Sequence, residues 1–156
     1  MLLATALAAL APGCGRETSL EGSLGEVVSF GFESVEVAVT SGSVGVSYYR
    51  PQGAGRDVVF KLVVNIAPAS VPPGQDLDLA PRPDGTPNAV CTRSVGSDPI
   101  HTFAAVRVGT FTLDRVPTVD QPVSGSFRVT LGEGGEAGKG RTAFGNFKVA
   151  RVVPGG

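Results

Sequence analysis

The sequence predicts an all-β domain, a single antiparallel β-sandwich or partly closed barrel of about seven to nine strands. Three observations carry that prediction. Apolar residues recur with a period of two along most of the chain, the spacing at which side chains share one face of a strand. One five-residue cell, Gly, small polar, Phe, polar, aliphatic, occurs three times, as GTFTL at 109–113, GSFRV at 125–129 and GNFKV at 145–149. Beyond the first fifteen residues, no window of a dozen holds an amphipathic helical pattern.

In chain order, Val35, Val37 and Val39 alternate with Glu36 and Ala38, and Ser41-Gly42-Ser43 then turns the chain. Val44, Val46 and Tyr48 alternate with Gly45, Ser47 and Tyr49, which completes a hairpin with one buried face on each strand. Val58, Phe60, Leu62, Val64 and Ile66 place five large apolar side chains on one face of the next strand. Val59 and Val63 share its other face with Lys61 and Asn65, so a central strand covered on both sides is expected. Residues 67–90 hold six of the twelve prolines. Proline lacks the amide proton that a ladder needs, so this is a long irregular connection with at most a short strand at Asp76–Leu79. Strand character returns at Asn88–Val95 and is strong from Thr102 to Val116.

The repeated cell reads as one strand each time. Phe127, Val129 and Leu131 face one way and Ser126, Arg128 and Thr130 the other; Phe147 and Val149, then Phe111 and Leu113, repeat the pattern. Each Gly has the parity of its Phe, so it lies on the core side, where the missing Cβ leaves room for a large neighbour or a bulge. Gly109 is the expected bulge, because the apolar parity changes there from Val106 and Val108 to Phe111 and Leu113. Spacings of 16 and 20 residues are unequal, which argues for a local C-terminal meander and against a solenoid.

A net charge of −1 with 17% charged residues gives no electrostatic case for nucleic acid. The opening stretch, MLLATALAALAPGCG, stands apart from the rest. Residues 2–11 are apolar apart from Thr5, and no charge occurs before Arg16. That run is shorter than the roughly 20 residues that cross a bilayer and has the length of a signal-peptide apolar region. Ala11-Pro12-Gly13-Cys14 resembles the lipobox of bacterial lipoproteins, with Ala11 where that family usually carries Leu. The resemblance implies a signal peptide over 1–13 and Cys14 as the lipidated first residue of a membrane-anchored envelope protein, periplasmic or surface-exposed. Residues 14–24 would be the lipidated Cys and a short polar tether, and 25–153 the sandwich domain. Cys91 would then be a lone thiol, buried and inert. If Cys14 is not lipidated, a Cys14–Cys91 disulfide in a secreted domain takes its place.

Candidate chemistry is sparse. His101, the single histidine, could pair with Ser97 and Asp98, or with Cys91, as a nucleophile–base set; no GxSxG elbow supports it, and a histidine at the start of a strand is the plainer reading. Asp76, Asp78 and Asp84 crowd the Pro-rich connection and form a weak calcium candidate without the EF-hand order, with Arg82 among them. Tyr49, beside Arg50, is expected to be exposed and to touch a glycan or a partner protein. Glu33 and Glu36 differ in parity and cannot face one site from a regular strand. Gly132-Glu133-Gly134-Gly135-Glu136 follows a strand and lacks the Lys-Ser/Thr of a phosphate loop. The sequence thus points to Cys14 for anchoring, to Tyr49, Arg50 and the 67–90 connection for contact, and to no catalytic residue, metal or cofactor. A non-enzymatic binding or structural module is the expected role. The alternatives are a small secreted hydrolase using His101 and an accessory subunit of an envelope complex.

Overall fold

Residues 17–96, 100–135 and 137–156 are described by the structure, a computed structural model, and they form eleven strands. In chain order these are β1 (Ser19–Glu21), β2 (Ser34–Val39), β3 (Val44–Gln52), β4 (Gly55–Val64), β5 (Leu77–Asp78), β6 (Ala89–Ser94), β7 (His101–Thr102), β8 (Val106–Leu113), β9 (Val123–Leu131), β10 (Thr142–Val149) and β11 (Val153–Pro154). They make two sheets, one of five strands in the order β1-β10-β9-β8-β5 and one of six in the order β11-β2-β3-β4-β6-β7. Neither closes into a barrel; the fold is a β-sandwich. The strand count exceeds the expected seven to nine because β5, β7 and β11 are two-residue stubs at sheet edges. All pairings are antiparallel except that of β11 with β2.

The predicted meander is β8–β9–β10, and its register explains the glycines. Gly145 lies opposite Phe127, and Gly125 opposite Phe147. A Cβ on Gly145 would run into the Phe127 ring and stand 2.5 Å from Tyr48 Oη; one on Gly125 would stand 2.7 Å from the Phe147 ring. Each phenylalanine therefore fills the space that a glycine on the next strand leaves. Gly109 also presses on its neighbour, against the Arg128 carbonyl and Val129. It is not the bulge. Pairing with β9 shifts between Val106 and Val108, so Arg107 is the extra residue and the parity change begins before Gly109.

Between the sheets, Phe60 stacks on Phe127 with ring centroids 5.6 Å apart, and Tyr48 Oη donates to the Asn146 carbonyl at 3.1 Å. That bond satisfies the buried hydroxyl and ties one sheet to the other. The β2–β3 hairpin forms as expected, closed by Thr40 N–H donating to the Ser43 carbonyl at 3.0 Å.

In β4 the sequence pattern fails at one place. Tyr48 pairs with Phe60 but Tyr49 pairs with Val58, so Val59 is an extra residue in the ladder. Val59 and Phe60 are consecutive yet both buried, 1% and 0% exposed, while Val58 turns half outward and Asp57 turns inward at 3%. The expected five-residue apolar face therefore begins at Phe60. The strand is central in its sheet, but only its inner face is covered by the other sheet, and Lys61 and Val63 stay half-buried on the outer face.

The folded chain also begins earlier than the expected boundary at residue 25. From Ser19 the chain is β1, paired along β10, and Leu20 and Leu24 are buried in the core. Ser23 holds this segment to Thr142 through its backbone N–H and its hydroxyl. Residues 19–24 belong to the domain because two leucines spaced among polar residues supply an edge strand and a plug. Residues 1–16, which include the expected signal peptide and Cys14, lie outside the described residues. In the Pro-rich connection the expected short strand forms as β5, with Leu77 opposite Phe111, and Val71 and Leu79 anchor it in the core. No helix among the described residues is long and apolar enough to cross a membrane.

Candidate functional site

The outer face of the six-stranded sheet gathers polar side chains from three adjacent strands. Glu36 on β2, Tyr49 on β3 and Arg56 on β4 point the same way. Tyr49 Oη donates to Glu36 Oε1 at 3.3 Å, and both terminal nitrogens of Arg56 donate to Glu36 Oε2 at 3.3 and 3.4 Å. The Arg56 guanidinium also lies 3.6 Å from the Tyr49 ring centroid, a cation–π contact. Tyr49 is half-buried as a result, with its hydroxyl and one ring face already engaged.

Beside this cluster the same face sinks into a trough. Gly45 and Ser47 form its floor and are buried although they point away from the core. Longer side chains wall them in: the Lys61 Cε stands 3.7 Å from where a Cβ on Gly45 would sit. The trough has a volume of about 360 Å³, with Glu36, Tyr49 and Lys61 on its sides and Gly155 and Gly156 along one flank. Its chemistry is an ammonium and a hydroxyl as donors, a carboxylate as acceptor and an aromatic edge, the equipment for a polar ligand with hydroxyl or anionic groups.

Arg50 has another task. It has the parity of Tyr48 and turns to the inner side, where it donates to Asp57 Oδ2 at 2.9 Å. Asp57 Oδ1 accepts the Gly96 N–H at 2.7 Å. The Gly96 amide and then the Arg50 guanidinium hold the Asp57 carboxyl below the usual carboxylate range. Arg50 thus braces Asp57, which holds the chain that leaves β6 through the Gly96 N–H. The bulge at Val59 sets the β4 side of this arrangement, with Asp57 inward opposite Arg50 and Arg56 outward beside Tyr49.

The other candidates are scattered. His101 sits on β7 opposite Arg93, beside a separate hollow of about 190 Å³ lined by Val27, Val28 and Phe103. Ser97 and Asp98, its proposed partners, lie outside the described residues. Cys91 is sealed in the core, where burial pushes its thiol up to about 12, so it offers His101 no thiolate. The three aspartates of the weak calcium set are not brought together. Asp76 accepts from the Thr112 hydroxyl at 2.5 Å, Asp78 from the Ala80 N–H at 2.8 Å and Asp84 from the Thr86 N–H at 2.9 Å. Asp78 and Asp84 each fix their own turn and Asp76 ties the connection to β8, and among the described residues no group of three His, Cys, Asp or Glu converges on a point that could hold a metal. The 67–90 connection is likewise tied down, with Asn88 donating to the Ala80 carbonyl at 2.6 Å and Arg82 Nε donating to Asn88 Oδ1 at 3.0 Å.

Sequence reasoning missed Ser47, Arg56 and Lys61. The available signal was Gly45-Val46-Ser47, two small residues on the outward parity of a strand whose neighbours carry Glu36 and Lys61. Fold and trough together define a two-sheet antiparallel β-sandwich with a polar outer face on its larger sheet. Comparison with protein-family models, with curated proteins and with solved structures finds no match, so the chemistry of the face has to speak for itself.

Proposed function

We propose that the chain is a lipid-anchored protein of the bacterial cell envelope whose folded domain is a non-enzymatic binding or structural module. The observation that carries this reading is the apolar run of residues 2–11 closing on Ala11-Pro12-Gly13-Cys14. Two structural facts support it. The sheet begins at Ser19, five residues after Cys14, which is consistent with a domain carried close to its anchor. Burial of Cys91 speaks against a Cys14–Cys91 bridge, since the thiol would have to leave the core to meet a partner. Contact is assigned to the trough and to the Tyr49–Arg56–Glu36 cluster, which suit a glycan or a polar segment of an envelope protein.

The test is an intact mass on protein extracted from the membrane fraction of a bacterial host, wild type beside Cys14→Ala. The expected wild type begins at Cys14 and carries added acyl mass, and the variant does not. A soluble, unacylated wild type overturns the reading. A His101→Ala variant separates module from hydrolase: it keeps ligand binding if the domain is a module.

A further inference from the structure

The folded domain has two ends, and only one of them is next to the anchor. Ser19 pairs with Asn146 at the start of β1, and from there β10 runs on to Val149, opposite Val123 at the start of β9. Thr18, Lys148, Val149 and Arg151 line one part of a groove that runs on along the start of β2 to Phe32. The loop between β8 and β9 belongs to the Val149 end too, because Asp120 N–H donates to the Val152 carbonyl at 2.9 Å. So does the β2–β3 turn, because Gly155 N–H donates to the Val39 carbonyl at 2.8 Å. The opposite end carries the β3–β4 turn, Gly96 and the chain after β9, held by Gly132 N–H donating to the Ala105 carbonyl at 2.8 Å. Strands of eight to ten residues separate the two ends by roughly 30 Å.

From Cys14 to Ser19 the chain takes five steps, a reach of at most about 18 Å even when fully extended. Ser19 lies opposite the middle of β10, but β1 runs antiparallel to it, so the chain before Ser19 heads toward the Val149 end, and Thr18 lines a groove with Lys148 and Val149. From Glu17 only three steps, at most about 11 Å, lead to Cys14, too few to turn back to the other end. We propose that the end carrying Val149, the 114–122 loop and the 150–152 link rests against the bilayer that holds the Cys14 lipid, with the opposite end held away from it. This rests on the lipid-anchor reading. Thr18 is half-buried and Ser19 is paired in a sheet, so the domain is held close to the anchor.

The surface of this end suits a headgroup layer. Val116 and Val119 are 37% and 40% exposed on the loop, and Lys148 and Arg151 are exposed beside them. Arg115 is paired with Asp114 at 3.3 Å, and Asp120 and Glu17 are also exposed, so charge is balanced and the tether, not basic attraction, sets the orientation. The trough then runs away from the membrane, with Thr40 and Ser43 at its near end and Tyr49 at its far end, so its ligand reaches it from the side.

The test uses the full-length acylated protein in phosphatidylethanolamine/phosphatidylglycerol vesicles that contain a headgroup spin-labelled lipid. A fluorophore is placed on Thr118→Cys in one sample and on Ala54→Cys in another; lipid blocks Cys14, and Cys91 is sealed. Contact-range quenching is expected to remove most of the Thr118 signal and little of the Ala54 signal. Inserting about twenty Gly and Ser residues after Gly15 should abolish that difference, because a flexible linker of this length averages over all orientations. Equal quenching at both sites, or stronger quenching at Ala54, in protein whose mass confirms the acyl chains overturns the orientation while leaving the anchor in place. A difference that survives the long linker overturns the tether as its cause. An unacylated mass overturns the anchor and the orientation with it.

Discussion

The β8–β9–β10 meander and the β3–β4 hairpin are built alike, from antiparallel neighbours with aromatic side chains turned to one shared core. They differ in what happens to the period of two. In the meander it runs on through β9 and β10, and Gly125 and Gly145 leave the room that Phe147 and Phe127 fill. In the hairpin it breaks at Val59, and that one extra residue turns Asp57 inward and leaves Arg56 with Tyr49 and Glu36 outside. Within β9 and β10 unbroken alternation makes core; at Val59 the break brings polar side chains together on the outer face.

The comparison can be broken most forcefully in the meander. Phe127→Ala removes a ring stacked on Phe60 and packed over Gly145, and should cost about 3–5 kcal/mol by urea denaturation. Gly145→Ala adds a methyl group where the Phe127 ring and Tyr48 Oη already stand, and should cost about 1–3 kcal/mol through overpacking. Because the two sites touch, the Phe127→Leu/Gly145→Ala double variant should fall short of the summed losses. Gly45→Ala is the control on the outer face of β3, where the new methyl group stands at ordinary contact distance, 3.7 Å from the end of Lys61 and 3.8 Å from the Ala38 carbonyl oxygen. It should shift stability by no more than about 0.5 kcal/mol. If Gly45→Ala costs as much as Gly145→Ala, the distinction between core-side and outward glycines fails.

In the hairpin the expected effects are smaller. Asp57 has its carboxyl lowered in the folded chain, so its contribution is present above the unfolded carboxylate value of about 4 and is lost as pH falls through the lower folded value. Asp57→Asn should lower the melting temperature at neutral pH and flatten its decline below about pH 4. A variant that keeps the wild-type acid slope would remove Asp57 as its source. Smallest of all is Arg56→Ala. Its pair with Glu36 is exposed and screened, so the loss should be under about 1 kcal/mol and should shrink further in high salt.

Much of the fold was legible because a sheet with one wet face writes its burial directly into residue parity. The meander, the β2–β3 hairpin and the short strand at Leu77 could all be read that way. What could not be read are events that change the phase without changing composition. Val58-Val59-Phe60 looks the same whether or not one residue bulges, yet the bulge decides which of Arg56 and Asp57 reaches the outer face. Likewise Leu20 and Leu24 sit among Ser, Glu and Gly, and only the pairing of Leu20 with β10 and the 3-10 turn that follows make them core. Of the candidate site, Tyr49 was visible as a polar aromatic. Lys61 and Ser47 were not, because their meaning comes from neighbours on other strands.

The stubs at the sheet margins have a consequence of their own. Of the four outermost strands, β5, β7 and β11 have two residues each and β1 has three. A second copy arriving side-on would find only a short ladder to extend along any of them. On β2 the stretch Ser34–Val37 runs beyond the end of β11, and Glu33 and Glu36 stand guard over it. Molecules crowded together at high local density would therefore collide without zipping into shared sheets, and a protein rich in β-structure would stay dispersed.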